Sequence, residues 1–203
     1  MKKLYIILLL AFAGLSGLQA QRFTGGLLLG LNASQIDGDG WGGYNKAGLS
    51  VGGFVRYPIN RMLGFQPEFR YEQLGSATPE LLLLKTSHLT MPLFLTAQTS
   101  VELGESSREF AFHIGPAAGL LISARDWIGF DYTAALRRFD LRAVAGFDAE
   151  IIKNLSISIE YGYSIASFVE VNQPGINNLF VGGRRPGLYH RYASFALRYH
   201  LIR

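Results

Sequence analysis

The sequence has no cysteine among its 203 residues, and lysine is scarce. The missing cysteine excludes disulfide bonds and lipid attachment at a cysteine. Residues 21–203 hold three lysines against 14 arginines, and charged residues make up only 17% of the chain. The formal net charge of +4 falls to +2 without Lys2 and Lys3. An excess this small predicts no nucleic-acid partner.

Long apolar runs are also missing, except at the start of the chain. Lys2 and Lys3 precede the apolar run LYIILLLAFAGL, and LQA ends on the small Ala20. This order is typical of a secretory signal peptide that is cleaved before Gln21. The run is shorter than the ~20 residues that a spanning helix needs, which argues against a membrane anchor. We therefore expect a signal peptide at 1–20 and a single domain at 21–203.

What the chain does have is a repeated alternation of apolar and polar residues. In segment 154–168, odd positions such as Leu155 and Ile159 are apolar, whereas even positions such as Ser158 and Glu160 are small, polar or charged. Seven more segments repeat this pattern: 22–34, 44–59, 62–74, 86–99, 109–123, 138–151 and 189–202. Successive side chains of a strand point to opposite faces, so the pattern predicts eight strands. An even count suits a closed antiparallel membrane barrel.

The alternation alone does not say which face meets water, since a soluble ligand-carrying barrel alternates with its apolar face inward. The polar face is mostly Gly, Ser, Ala and Thr with isolated charges, rather than the Lys and Glu of a soluble exterior. Small residues suit a narrow lumen. We therefore predict an all-β fold, an eight-stranded antiparallel up-and-down transmembrane β-barrel in the outer membrane, with Phe65, Leu93, Ile159 and Phe195 facing lipid.

The predicted connections differ between the two ends of the barrel. Two of the three turns on one side are tight, and nine residues at 100–108 are expected to join strands 4 and 5. Three of the four loops on the other side are long, and these lie at 35–43, 124–136 and 170–187. Short periplasmic turns and long external loops are typical of outer-membrane barrels.

Charges of both signs fall on the predicted inner face. A barrel of eight strands is just wide enough to be filled by its side chains, so these charges would be buried and would have to pair. Arginine forks suit carboxylates. We expect a lumen closed by salt bridges, without a general diffusion pore. The expected network comprises Arg56, Glu68, Arg70, Glu72, Asp140, Arg142, Asp148, Glu150, Glu160 and Arg198.

The long loops carry aromatic and arginine side chains that could meet a partner. Arginine suits the phosphates of lipopolysaccharide, and aromatic rings can bind a partner or rest at lipid headgroups. The candidate contact residues are Trp41, Arg125, Trp127, Tyr132, Arg184 and Arg185. The expected partners are outer-membrane lipid and lipopolysaccharide, with another envelope protein or a surface glycan as further possibilities.

Three stretches also resemble a known family. These are the signal ending LQAQ, the segment GGLLLGLNASQIDGDGWGGYNKAGLSVGGFVRYPI, and HLTMPLFLTAQ. Together they resemble the PorT-like outer-membrane β-barrel domain of Gram-negative bacteria, over essentially all of residues 21–203. The resemblance implies the barrel fold. The founding member of that family takes part in protein secretion, a role that the shared strand and turn patterns do not transfer.

No residue pattern predicts an enzyme, a cofactor or a metal site. Four histidines invite an enzymatic reading, and His190 shares a strand face with Ser194, but neither lies in a nucleophile motif. DGDGWGG at 37–43 resembles the start of a calcium loop but lacks the closing Glu, so it favours a glycine-rich turn. We expect a non-enzymatic protein with a structural or interaction role. The alternatives are a lipid-modifying enzyme, a narrow channel and a component of a secretion apparatus.

Overall fold

Eight antiparallel strands close into one barrel. The structure, a computed structural model, describes residues 23–40, 42–78, 82–103, 106–169 and 187–202. Each strand pairs with its sequence neighbours, and β1 pairs with β8 to close the ring. The strands are β1 Thr24–Asp37, β2 Lys46–Pro58, β3 Leu63–Ala77, β4 Leu82–Leu103, β5 Ser106–Arg125, β6 Phe139–Ile152, β7 Leu155–Ser164 and β8 Tyr189–Ile202. The predicted fold class is confirmed.

One short 3₁₀ helix, Thr133–Ala135, lies between β5 and β6. Among the residues that the structure describes, no helix has the length and apolar character needed to cross a membrane.

The outer face of the barrel is apolar and the inner face is polar. Phe65 and Ile159 are 42% and 53% exposed, whereas Arg70 and Arg142 are 2% and 0% exposed. Leu93 and Phe195 also point outward. In water this arrangement would expose a broad apolar band, but in lipid it places the apolar side chains against the acyl chains. Closure gives the edge strands β1 and β8 backbone partners, as a sheet in hydrocarbon requires.

The turns at one end of the barrel are tight because the chain supplies suitable turn residues. The side chain of Asn60 accepts hydrogen bonds from the backbone N–H groups of Met62 and Leu63, at 2.9 and 2.7 Å. Asn154, in the turn between β6 and β7, has a φ of 67°. Asparagine adopts this left-handed conformation more readily than most residues. These local signals hold each strand pair in register.

The predicted nine-residue connection between strands 4 and 5 is wrong. Strand β4 continues to Leu103 and β5 begins at Ser106, so only positions 104–105 separate them. Pairing extends along this hairpin, for example between Ser100 and Glu109. On β4 the alternation continues through Val101 and Leu103, but the first β5 residues, 106–109, are polar on both faces, so alternation predicted no strand there. We infer that this end of the hairpin extends past the apolar band, where the polar side chains of β5 meet water.

A β-bulge changes the alternation at the other end of this hairpin. The register shifts between Ser87 and His88, which face Ser123 and Leu121 of β5 and leave one extra β5 residue. Inward-facing positions on β5 therefore change from odd, as at Leu121, to even, as at Ala124. A bulge bends a strand and redirects its side chains. The shift lets β5 contribute to the packed outer end of the lumen.

Candidate functional site: the lumen network and the outer loops

A bidentate ion pair spans the centre of the lumen. Arg70 donates from its two terminal nitrogens to the two carboxylate oxygens of Glu160, at 2.6 and 2.7 Å. Its Nε donates to Glu68 at 2.6 Å. Arg198 donates to Glu68 and Glu160 at 2.6 and 2.5 Å. Because β3 and β7 lie four strands apart in the ring of eight, the pair between Arg70 and Glu160 crosses the full width of the lumen.

The network continues toward the long loops through Arg142. This side chain donates to Glu72 at 2.9 Å and to the Thr90 hydroxyl at 2.7 Å, and its Nε lies 3.4 Å from Asp140 Oδ2. Arg70 also lies 3.6 Å from Glu72 and so connects the two halves. Every one of these side chains is at least nine-tenths buried. Charges removed from water in this way are tolerated only when they are paired and hydrogen-bonded.

Asp140 and His190 extend this chain of contacts at the loop end. Oδ1 of Asp140 accepts a hydrogen bond from Ser164 at 2.7 Å, and Oδ2 lies 3.0 Å from His190 Nδ1. The other ring nitrogen of His190 is 3.1 Å from the Thr86 hydroxyl. The ring of His88 meets that of His190 edge-on, with centroids 5.1 Å apart. The predicted network names Asp140 but neither of these histidines.

Toward the turn end, Asp148 joins the network through Arg198 and His113. Arg198 Nε lies 3.2 Å from Asp148, and His113 lies 3.5 Å from Asp148 and 3.1 Å from Glu160. Arg56 also points inward and lines a small recess together with Asp148 and Arg198. Glu150 is half-buried and accepts a hydrogen bond from the backbone N–H of Glu109 at 3.2 Å.

Aromatic rings fill the space beside the arginines. The guanidinium carbons of Arg70 and Arg142 lie 5.6 and 5.5 Å from the ring centroids of Phe94 and Tyr192. A cation over an aromatic face is attracted by the ring quadrupole, more so when both are shielded from water. Sequence reasoning missed these rings because it assigned inward positions by their polarity. Position within the strand would have predicted them, since Phe94 and Tyr192 occupy alternate positions of β4 and β8 whose side chains point inward.

One glycine makes room for the central contacts. A Cβ on Gly146 would lie 2.4 Å from His113 Nε2 and 2.7 Å from Glu160 Cγ. Gly146 faces Glu160 across the β6–β7 ladder. A larger residue there would push apart the side chains that meet over it. The many small residues on the inner face therefore set the space in which the charged side chains pair.

An apolar cluster, here called the cap, closes the outer end of the lumen in the part of the chain that the structure describes. Phe168 lies at its base and stacks on the His190 ring, with centroids 4.1 Å apart. Its backbone N–H donates to Leu188 and its carbonyl accepts from Arg137, at 3.0 and 2.8 Å. The buried cap residues are Ile36, Leu84, Leu121, Ala124, Leu136, Phe168, Val169 and Leu188.

The loop between β5 and β6 is held in a defined shape that leaves apolar side chains in solvent. The Asp126 side chain accepts hydrogen bonds from the backbone N–H groups of Ile128 and Phe130, at 3.1 and 2.9 Å. A carboxylate that bonds its own backbone two residues on is typical of a tight turn. Trp127, Ile128 and Phe130 are each more than half exposed. These three side chains are called the loop tip below.

Polar contacts fix the base of the same loop. The Thr133 hydroxyl accepts from the backbone N–H of Ala124 at 2.9 Å. Hydrogen bonds from Thr133 lower the pKa of the Asp131 carboxyl below its usual range. Burial and the neighbouring Asp126 raise the pKa of the Tyr132 hydroxyl. Both groups keep their ordinary charge near neutral pH, so the loop should hold its shape there.

The structure describes three of the six loop residues that were predicted to contact a partner. Arg125, Trp127 and Tyr132 lie at or beside the loop tip, with Arg125 3.8 Å from Asp131. The other three candidates, Trp41, Arg184 and Arg185, lie outside the described residues.

The glycine-rich stretch at 37–43 uses its carboxylates within the protein. Asp39 is buried and accepts hydrogen bonds from Gln35 and Ser76, at 3.2 and 2.5 Å. Asp37 lies 3.4 Å from Arg191. Gly38 and Gly40 have positive φ values of 103° and 82°, which glycine adopts without strain. These contacts are those of a glycine-rich turn.

Histidine, acid and hydroxyl do meet, but not at a surface that lipid can reach. His190 contacts Asp140 and Thr86, and all three are buried beneath the cap. Ser194, the partner considered from the sequence, lies opposite Glu160 in the β7–β8 ladder. A lipid-modifying enzyme requires such groups where the substrate can approach. The buried set does not meet this requirement.

A closed antiparallel barrel with an apolar exterior and a charged, packed interior defines the class of transmembrane β-barrels. The sequence profile of the family described as outer membrane protein beta-barrel domain matches residues 19–170, more than half of the chain. The chain therefore belongs to this family, whose place is the outer membrane. No curated protein sequence matches the chain.

Solved structures of other outer-membrane proteins are similar over most of the chain. Ail, the attachment invasion locus protein of Yersinia pestis, is 14% identical with a TM-score of 0.48, over 88% of this chain and 98% of Ail. Neisserial surface protein A is 13% identical with a TM-score of 0.46, over 87% and 96% of the two chains. OprG from Pseudomonas aeruginosa is 11% identical with a TM-score of 0.38, over 89% and 95%. At these scores the likeness carries no argument about function.

Proposed function

We propose that the protein is a non-enzymatic outer-membrane scaffold, a barrel with a closed lumen that holds its outer loops for contact with another envelope component. The observations that support a closed lumen are the ion pairs across it and the apolar cap at its outer end. Ion pairs such as that between Arg70 and Glu160 cross it at mid-height, and the cap covers its outer end. A lumen filled in this way leaves no continuous path for solute.

The loop tip is the described surface best suited to the contact. Exposed Trp, Ile and Phe side chains on an ordered loop lose little conformational entropy when they bind, because their backbone is already held by Asp126. Aromatic residues are also enriched where binding energy concentrates. Arg125, exposed beside the tip, adds a positive charge that suits the phosphates of lipopolysaccharide or an acidic protein surface.

Planar-bilayer recording tests the closed lumen. The purified full-length barrel should insert without giving steady conductance, because the lumen side chains are paired across its width. A steady, reproducible conductance from the folded protein would contradict the proposal and favour the narrow channel.

Site-specific photocrosslinking in living cells tests the contact. A benzophenone amino acid at position 128 in the loop tip should give a discrete product with an envelope protein, a glycan or lipopolysaccharide. The matched control is position 159, an outward residue of the lipid-facing band that is 53% exposed. It should give lipid adducts only. Identical products from the two positions, or none from position 128, would contradict a specific contact at the loop tip.

Two finer assignments are part of the same proposal. The resemblance to PorT-like proteins suggests a branch of the family, and a role beside a secretion apparatus would follow only if crosslinking gave such a component. The leader at 1–20 is proposed to be removed before Gln21. Mass spectrometry of the protein isolated from outer membranes should give the mass of residues 21–203, and retention of the leader would refute cleavage.

A further inference from the structure

We propose that His88, Asp140 and His190 bind one divalent transition-metal cation, with Zn²⁺ as the representative ion, in the outer half of the lumen. One ligand atom from each residue lies within 4.8 Å of the other two. The three side chains come from β4, β6 and β8, so no two belong to adjacent strands. The inference does not depend on the role of the outer loops.

The distances are close to those of a formed site. Zinc binds imidazole nitrogen and carboxylate oxygen at about 2.0–2.2 Å, which places tetrahedral ligands about 3.3 Å apart. Atoms within 4.8 Å of one another reach that spacing after side-chain shifts of an ångström or so. Two imidazoles and one carboxylate form a donor set that zinc and neighbouring transition metals accept, with one position left for water.

The surroundings of the three residues favour a cation. Arg142 is the charged neighbour, and it contacts two carboxylates, those of Glu72 and Asp140. Glu72 also lies 3.6 Å from Arg70, and Arg142 is closer to Glu72, at 2.9 Å, than to Asp140, at 3.4 Å, so the Asp140 carboxylate is the less neutralised of the two. The Nδ1 atom of His88 is buried without a hydrogen-bond partner. A buried polar atom without a partner costs free energy, which a bound cation would recover if His88 turned that nitrogen toward it.

Neighbouring groups hold two of the ligands in place. Ser164 donates to Asp140 Oδ1 at 2.7 Å, so the cation would bind at Oδ2, which Arg142 Nε approaches only to 3.4 Å. Phe168 stacks on the His190 ring and fixes its plane. Such supporting contacts orient metal ligands and raise affinity. On binding, the cation would replace the hydrogen bond between Asp140 Oδ2 and His190 Nδ1 and would tie three separate strands together beneath the cap.

Metal binding is measured directly with a chain that carries no histidine tag. The refolded wild-type barrel is titrated in detergent micelles with Co²⁺, followed by visible absorption, and then with Zn²⁺ in competition. We expect one equivalent bound. The variants His88→Gln and His190→Gln should each weaken binding at least about 100-fold, and Ser164→Ala about tenfold.

The matched control is His200→Gln. His200 lies at the turn end of β8, far along the strand from His190, with Ser156 3.4 Å away. This variant should bind the metal as the wild type does. Folding of each variant is checked by its gel mobility with and without heating, and Asp140→Asn replaces any variant that does not fold. It should also lose binding.

Unfolding gives a second readout. Zn²⁺ should raise the urea midpoint of the wild type and of His200→Gln, because a ligand that binds only the folded state stabilises it, and should leave His88→Gln unchanged. The proposal is overturned if the folded wild type binds no Co²⁺ or Zn²⁺ at 100 µM. It is also overturned if His88→Gln and His190→Gln bind as tightly as the wild type. In either case the three residues form a hydrogen-bonded cluster only.

Discussion

Removing Arg70 should destabilise the barrel far more than removing an exposed arginine. The substitution Arg70→Met keeps the apolar length of the side chain and deletes three charge-assisted hydrogen bonds of 2.6–2.7 Å to Glu68 and Glu160. Breaking a buried ion pair by removing one partner costs about 3–5 kcal/mol, because the remaining charge is left uncompensated. Here Arg198 still contacts both acids, which favours the lower end of that range.

The assay is urea unfolding of the protein in lipid vesicles, followed by fluorescence and by gel mobility. A loss of about 3 kcal/mol corresponds to roughly a hundredfold change in the ratio of folded to unfolded protein. The matched control is Arg125→Met. Arg125 lies 3.8 Å from Asp131, with side chains 64% and 52% exposed. Exposed pairs contribute about 0–1 kcal/mol, so this variant should unfold nearly as the wild type does.

A double-mutant cycle separates the pair from the rest of the network. Glu160→Gln alone should also destabilise the barrel, because Arg70 and Arg198 then lose a charged partner. The double variant Arg70→Met with Glu160→Gln should cost about 1–3 kcal/mol less than the sum of the single changes. The lumen contacts do not form a coupled buried network if Arg70→Met lowers the free energy of unfolding no more than Arg125→Met does. The same conclusion follows if the effects of Arg70→Met and Glu160→Gln on that free energy simply add.

Two further predictions follow from packing and topology. Gly146→Ala should cost about 1–3 kcal/mol, because its Cβ would lie 2.4 Å from His113 Nε2, whereas Gly42→Ala, with nothing within 4 Å, should change stability by less than about 0.5 kcal/mol. Equal effects of the two changes would show that Gly146 does not set the lumen spacing. Since the chain has no cysteine, Ile128→Cys and Lys153→Cys report on orientation alone. A membrane-impermeant maleimide should label position 128 on intact cells and position 153 only after permeabilisation. The reverse result would mean that the barrel has the opposite orientation in the membrane.

Part of the expected network could be predicted from the sequence, because the side of the sheet to which a side chain points depends on its position within its own strand. Parity within a strand places Arg70, Arg142 and Arg198 on the inner face without knowledge of any neighbour, and the structure buries all three. The alternation gave a wrong prediction where a strand does not alternate or where a bulge shifts the alternation. The first β5 residues, 106–109, are polar on both faces, and the bulge near His88 reverses the inward parity on β5.

The sequence by itself determined the number of strands, the side of the sheet that faces lipid and which charges are turned inward. The strand count and the two sets of side chains follow from a two-residue period within single strands, and the small, lysine-poor composition of the polar face indicates which set faces lipid. Only the tertiary structure decided that Arg70 meets Glu160 and that His88, Asp140 and His190 converge beneath the cap. These partners are 50 to 102 residues apart along the chain. Which side chains meet across the lumen depends on how far the strands are staggered when the ring closes, and that stagger belongs to the whole barrel.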